Sequence, residues 1–166
     1  MWGDIEDKSN VDCNWTNYKY TDGSSSKLTK YCTEILDGTV DGKTTLDPED
    51  DAATQIMGGD WRMPTQTEIK ELLENTENEW IDNFNNSGVS GMKFTGSNGN
   101  SIFIPNSGYR SGSSFNFQGN RAIVWSSSLG TNSSTHASRL LFRSGFISAD
   151  GTSIRCNALS VRGVCK

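Results

Sequence analysis

The hydrophobic period changes once along this chain. Between residues 47 and 78 apolar side chains recur at helical spacing, and from Gly91 onward they recur at every second position. Asp47 can cap a first helix, Pro48 suits its first position, and Glu49, Asp50 and Asp51 favour its positive end. That helix is expected to run to about Met57 and to stop at Gly58-Gly59. Thr65 and Glu68 form an S/T-x-x-E capping box for a second helix. Ile69, Leu72, Leu73 and Thr76 follow at i, i+3, i+4, i+7, with Lys70, Glu71 and Glu74 on the other face, and an end is expected near Asn78. In the later part, Met92, Phe94, Ile102 and Ile104 flank Asn98-Gly99, a type I′ hairpin signal. Beyond Tyr109, short apolar pieces at 122–125, 139–142 and 159–164 are separated by Ser, Gly and Asn clusters. Two helices ahead of a loop-rich antiparallel sheet make the class α+β. Residues 1–45 read as extended chain with short strands and turns at Asp22-Gly23 and Asp41-Gly42.

The chain's 166 residues fit one domain, and 16 aromatic residues supply core area to a sequence only 33% apolar. Trp61 and Trp125 are expected inside. No run approaches the roughly 20 apolar residues of a membrane helix, and no signal-peptide pattern opens the chain. Charge is divided unevenly. Residues 1–109 carry 19 acidic and 8 basic side chains, a net −11, whereas residues 110–166 carry one acidic and 7 basic, a net +6. The arginines of the second part, Arg110, Arg121, Arg139, Arg143, Arg155 and Arg162, are scattered among Ser, Gly and Asn, and no nucleic-acid module accompanies them. Nucleic acid is therefore not the expected partner.

A second division concerns residue types. Glu, Gln, Lys, Met and Trp number 25 in the first 109 residues and three in the last 57, namely Gln118, Trp125 and Lys166. Strand composition disfavours Glu and Lys but does not account for Met, Gln and Trp.

Catalytic constellations are weak. His136 is the one histidine, and a triad with Asp150 and a serine lacks the G-x-S-x-G turn that presents a nucleophile, in a segment with 13 serines. Glu49, Asp50 and Asp51 are explained by a helix N-terminus, and no calcium-loop or phosphate-loop motif occurs. No metal and no cofactor is expected. Cys13, Cys32, Cys156 and Cys165 show no metal-ligand spacing and leave three disulfide connectivities open. By contrast Phe115, Phe117 and Phe146, set among Ser, Asn, Gly and a few Arg, have the composition of a binding-loop set.

The runs LDPEDDAATQIMGGDWRMPTQTEIKELL and GMKFTGSNGNSIFIP-NSGYRSGSS, with the later WSSSL and SVRGVCK, resemble the C-type-lectin-like domains abundant in gut Bacteroidetes and Fibrobacter. Those domains are related to the formylglycine-generating-enzyme fold. The resemblance spans roughly residues 1–166, and GGDWRMPT with SVRxVC carries most of its specificity. It implies two helices packed on short antiparallel strands with long loops. Some members are variable proteins of diversity-generating retroelements, in which a reverse transcriptase rewrites adenines in the C-terminal coding segment. Adenine mutation of an AAY codon cannot yield Glu, Gln, Lys, Met or Trp, the five types nearly missing after Tyr109.

The family pattern implies a scaffold over 1–109 continued by Trp125, Ser126, Ser127, Ser128, Ala137, Leu140, Phe142, Ser144, Gly145, Arg155, Ser160, Val161 and Arg162. The implied ligand-binding, variable positions are Phe115, Asn116, Phe117, Arg121, Ile123, Asn132, Ser133, Thr135, His136, Ser138, Arg139, Leu141, Arg143, Phe146, Ser148, Asp150, Ser153, Ile154, Asn157 and Leu159, with Ala122, Ala149 and Cys156 as further candidates. They are expected to form one exposed face within the 110–166 segment. The implied function is a non-enzymatic binding domain for a protein or glycan ligand at a cell or phage surface, with no membrane insertion. Two alternatives stand beside it. One is an unvaried adhesive or structural paralogue, and the other is an oxidase using Cys156 and Cys165. The EPN, QPD and WND calcium motifs of sugar-binding lectins are absent. The N-terminal strand that family members carry ahead of Trp2-Gly3 is also missing, which implies either a trimmed chain or one domain of a longer protein, and a C-terminal strand without a partner.

Overall fold

The computed structural model describes residues 1–6 and 8–165. It is α+β, with mostly antiparallel strands and few helices. The acidic run does not open one continuous helix. Pro48–Asp50 forms a single 3-10 turn, and helix α1 is confined to Ala52–Met57. Asp47 caps nothing with its side chain; Asp51 accepts from the Thr54 amide at 2.9 Å instead. The break follows from what the carboxylates must reach. Asp51 also accepts the Met63 amide at 2.8 Å, and buried Asp50 accepts from Lys30 Nζ and the Tyr31 hydroxyl, both at 2.6 Å. Gly58, at φ 69°, ends the helix.

Strand β1 (Trp61–Arg62) lies between the helices, so sheet begins earlier than the periodicity suggests. Helix α2 (Gln66–Asn75) has the expected capping box, with Thr65 and Glu68 satisfying each other's amides. Arg62 clamps Glu68 from outside with both terminal nitrogens. The helix stops three residues short of the expected end. Thr76 turns its hydroxyl back to the Leu72 carbonyl at 2.6 Å and starts β2 (Thr76–Ile81) with no intervening loop.

β2 pairs with β3 (Gly91–Gly96), and β3 with β4 (Ser101–Pro105). The β3–β4 connection is not the expected type I′ turn. Of Asn98 and Gly99 only Gly99 has positive φ, at 81°, and its amide bonds back to the Gly96 carbonyl at 2.9 Å. That is a four-residue loop built on a type I turn with a left-handed glycine.

The remaining strands are β5 (Tyr109–Ser111), β6 (Ser114–Asn116), β7 (Arg121–Leu129), β8 (His136–Arg143), β9 (Phe146–Ile154) and β10 (Val164–Cys165). β7, β8 and β9 form an antiparallel meander with β8 in the middle. β10 pairs with β1, so the C-terminal strand does have a partner, contrary to expectation. Most of the apolar piece at 159–164 is not strand, and only single bridges hold it.

The meander joins two cores. Ala122, Val124, Leu140, Phe142 and Ala149 point into one, with Ile69, Met92, Phe94 and Ile104. Trp125, Leu129 and Ala137 point into the other, with Trp2, Tyr18, Tyr20, Leu28, Tyr31 and Met63. Each fully buried aromatic side chain here contributes roughly 1.5–3 kcal/mol of transfer free energy. Trp125 is core as expected, but Trp61 is 36% exposed, on a two-residue strand at the margin.

A buried arginine ties the second core together. Arg155 is fully buried, donates to Tyr18 Oη at 2.9 Å, to the Tyr31 and Ser134 carbonyls at 2.9 and 2.8 Å, and to the Lys30 carbonyl at 3.0 Å. The rings of Trp2, Tyr18 and Tyr31 surround its guanidinium at 4.9–5.8 Å.

Candidate ligand-binding face

Alternation along β8 sorts its side chains. Leu140 and Phe142 point inward, so Arg139, Leu141 and Arg143 take the opposite face. Register then extends that face sideways. Arg121 lies opposite Arg143 and Arg143 opposite Phe146; Ile123 lies opposite Leu141 and Leu141 opposite Ser148; Trp125 lies opposite Arg139 and Arg139 opposite Gly151. One end of this face is covered by the core around Trp125. The other end is left to Arg121, Arg143, Phe146 and Ser148.

Phe117 extends the face from the loop before β7, with a left-handed φ of 57°. Its ring lies 3.7 Å from the Arg121 guanidinium carbon and stacks on Tyr109 at 6.1 Å. Tyr109 leads into a cavity of about 410 Å³ whose walls include Arg110, Phe115, Leu159 and Met1. Phe115 is 67% exposed, and Phe117 and Phe146 are each 45% exposed. The three phenylalanines are thus outside, as expected, each beside an arginine: Arg110, Arg121 and Arg143 in turn.

Arg139 is held differently. Its Nε donates to the Thr152 carbonyl at 3.2 Å and to Ser153 Oγ at 3.1 Å. The guanidinium rests on Gly151, where an added Cβ would come within 2.7–2.9 Å of it. Burial, followed by the charge of Arg121, lowers the Arg139 pKa.

A second group lies at the far end of β8. Asn132 is exposed, Ser133 Oγ and Thr135 Oγ1 bond at 2.7 Å, and Thr135 Oγ1 lies 2.8 Å from His136 Nδ1. Burial lowers the His136 pKa. Ile154 pairs with His136, and the Asn157 amide bonds the Ile154 carbonyl.

Not every candidate belongs to one exposed face. Ile123, Ser138 and Leu141 are buried. Ile123 and Leu141 lie between rows of larger side chains, and Ser138 turns inward to the Leu129 carbonyl at 3.3 Å. Ala122 and Ala149 point into the core beside α2, and Cys156 is buried in the other core, where desolvation pushes its thiol up to about 11. Asp150 is exposed on the opposite side, 2.7 Å from Lys70 of α2, because β9 bulges between its pairings with Leu141 and Arg139. The remaining candidates, Asn116 among them, keep partly or fully exposed side chains.

The catalytic alternatives are not assembled. His136 bonds Thr135 while Asp150 faces Lys70. Cys156 is a core residue, whereas Cys165 is exposed on β10 and borders a separate apolar groove of about 600 Å³. All four cysteines are free thiols. The carboxylates of Asp47, Glu49 and Asp50 converge within 4.8 Å, but Lys30 Nζ contacts all three and supplies the positive charge.

No family model matches this sequence, and no curated protein and no solved structure matches it significantly. The site therefore rests on its own geometry. Among the described residues no helix is long and apolar enough to cross a membrane.

Sequence reasoning missed two contributors because it assigned residues 1–109 to scaffold. Tyr109 bridges the cavity and the arginine face. Ile35 and Leu36, 78% and 85% exposed, sit in a loop whose Thr33, Glu34 and Asp37 bond Ser133 and Ser134. Two adjacent apolar residues bounded by Glu34 and Asp37 were the available signal.

Proposed function

We propose that this chain is a non-enzymatic ligand-binding domain with a C-type-lectin-like scaffold, whose outward positions between 110 and 160 are diversified by retroelement adenine mutagenesis. One observation carries the reading. The segment nearly free of Glu, Gln, Lys, Met and Trp is the segment that supplies the uncovered half of the β7–β8–β9 face and its loops. Seventeen of the twenty main candidate positions keep side chains at least partly exposed, while Trp125, Leu140, Phe142 and Arg155 are buried. A fixed interior under a replaceable surface is what repeated mutation of one segment requires, because outward substitutions leave packing unchanged.

The ligand is a protein or glycan on a cell or phage-host surface. The chain acts at that surface. Sequencing the DNA that flanks the native gene tests the reading. The expected result is a near-copy of the codons for residues 110–165, differing almost only at adenines, beside a reverse-transcriptase gene. Absence of both leaves an unvaried surface paralogue and refutes diversification.

A further inference from the structure

The outer face of the meander concentrates positive charge without neutralising it. Arg121 and Arg143 are directly opposed across β7 and β8, an arrangement that like charges disfavour. Arg139 stands four residues back along β8, on the same face, with Leu141 between it and Arg143. Among the described residues, ion pairs are made by Lys8, Lys19, Lys30, Lys43, Arg62 and Lys70, and none by these three arginines. Two of their nitrogens, Arg121 Nε and Arg139 Nη1, are buried and have no hydrogen-bond partner. Buried to that degree, these two nitrogens are out of a ligand's reach, and only the remaining nitrogens can receive one.

We propose that Arg121, Arg139 and Arg143 receive the carboxylate side chains of an acidic, partly apolar protein segment, a proposal that rests on reading this face as the ligand surface. The three guanidiniums are pre-positioned rather than waving. Arg121 lies under the Phe117 ring, Arg143 lies 5.4 Å from Phe146, and Arg139 is fixed by Thr152, Ser153 and the absent Cβ of Gly151. Held guanidiniums receive carboxylates with little ordering penalty, Arg139 through the one nitrogen that is neither bonded nor buried. The surroundings favour protein over a sulfated glycan. Arg121 and Arg139 are half-buried between rings and strands, so a short side chain can reach them more readily than a continuous polyanion. Exposed Phe117 and Phe146 beside arginine form the aromatic and cationic pairing that anchors protein interfaces.

The test uses the isotope-labelled whole chain, with the arginine Nε–H signals observed by NMR. The probes are a ten-residue peptide of alternating Glu and Phe, the same peptide with Gln for Glu, and a heparin-derived hexasaccharide. The Glu peptide is expected to shift the Arg121, Arg139 and Arg143 signals, with affinity falling at least several-fold between 50 and 200 mM salt. Arg139→Gln is expected to weaken it about tenfold. Gly151→Ala, which keeps every charge but displaces the Arg139 guanidinium, is expected to weaken it several-fold. Equal binding of the Gln peptide, a response to heparin alone, salt-sensitive self-association in place of peptide binding, or no response at all would each overturn the proposal. These failures are separate from failure of diversification. The flanking DNA tests the latter alone, and a face that varies in the gene yet ignores the Glu peptide refutes only the carboxylate assignment.

Discussion

Replacing Arg155 by methionine tests whether the 110–166 segment really contains fixed scaffold. Arg155 is fully buried and makes four hydrogen bonds, three of them to the main-chain carbonyls of Lys30, Tyr31 and Ser134. Methionine fills much of the same volume and removes the desolvation of a buried cation, which offsets part of the loss. It leaves three carbonyls without this donor and Tyr18 Oη without its charged partner. At about 1–3 kcal/mol for each buried group left unsatisfied, less the recovered desolvation, the net loss is about 3–5 kcal/mol. For a chain of this size that corresponds to a fall in Tm of roughly 10 °C. Arg143→Ser, in the same segment and equally an arginine, should change stability by no more than about 0.5 kcal/mol because its side chain is exposed. Urea denaturation of both variants, with thermal melts as a second probe, measures the contrast. A loss below about 1 kcal/mol for Arg155→Met, or equal losses for the two variants, would refute the division into scaffold and display positions.

Acid sensitivity follows from two carboxylates. Burial alone would raise the pKa of Asp50, but hydrogen bonds led by Lys30 and including Tyr31 outweigh it and hold the carboxyl at about 2; those from Arg62 first hold Glu68 at about 2. Both folded values lie below the unfolded ones, so their stabilisation is complete above about pH 4.5 and lost as pH falls toward 2. Asp50 contributes about 2 kcal/mol and part-exposed Glu68 less, after screening; Asp50→Asn should flatten stability against pH over that window, as measured by urea titrations at several pH values. Gly108→Ala should cost about 2 kcal/mol or more and shift NMR signals of the 109–116 hairpin, because φ is +66° and a Cβ would lie 2.3 Å from the Asn116 carbonyl oxygen. Leu141→Asp should destabilise by at least 2 kcal/mol in denaturation assays, whereas Phe115→Ser and Phe146→Ser should be nearly neutral, since Leu141 is buried and the phenylalanines are not.

Legibility in the sequence tracked how local the determining physics was. Helix α2 was readable because Thr65, Glu68, Ile69, Leu72 and Leu73 all act within ten residues, and the exposure of Phe115, Phe117 and Phe146 was readable from polar neighbours. Helix α1 was misjudged because its first turn is set by distant partners, Lys30 and Tyr31 on Asp50 and Met63 on Asp51. β2 was missed because the helical reading ran on to about Asn78, while strand pairing of Glu77 with Thr95 and Glu79 with Lys93 decides the matter. Asn98-Gly99 was a sound turn signal whose type depended on the backbone at Asn98. In the candidate site, alternation correctly separated Arg139, Leu141 and Arg143 from Leu140 and Phe142. It could not reveal that Leu141 and Ile123 lie beneath their neighbours, nor that a bulge carries Asp150 to the far side.

Amplicon sequencing of the native gene from independent isolates addresses the central claim most directly. The account predicts amino-acid variation concentrated at exposed positions between 110 and 160, such as Phe115, Phe117, Arg143 and Phe146, with Trp125, Leu140, Phe142 and Arg155 unchanged. Variation spread evenly over the chain, or striking the buried and exposed positions of that segment alike, would contradict it.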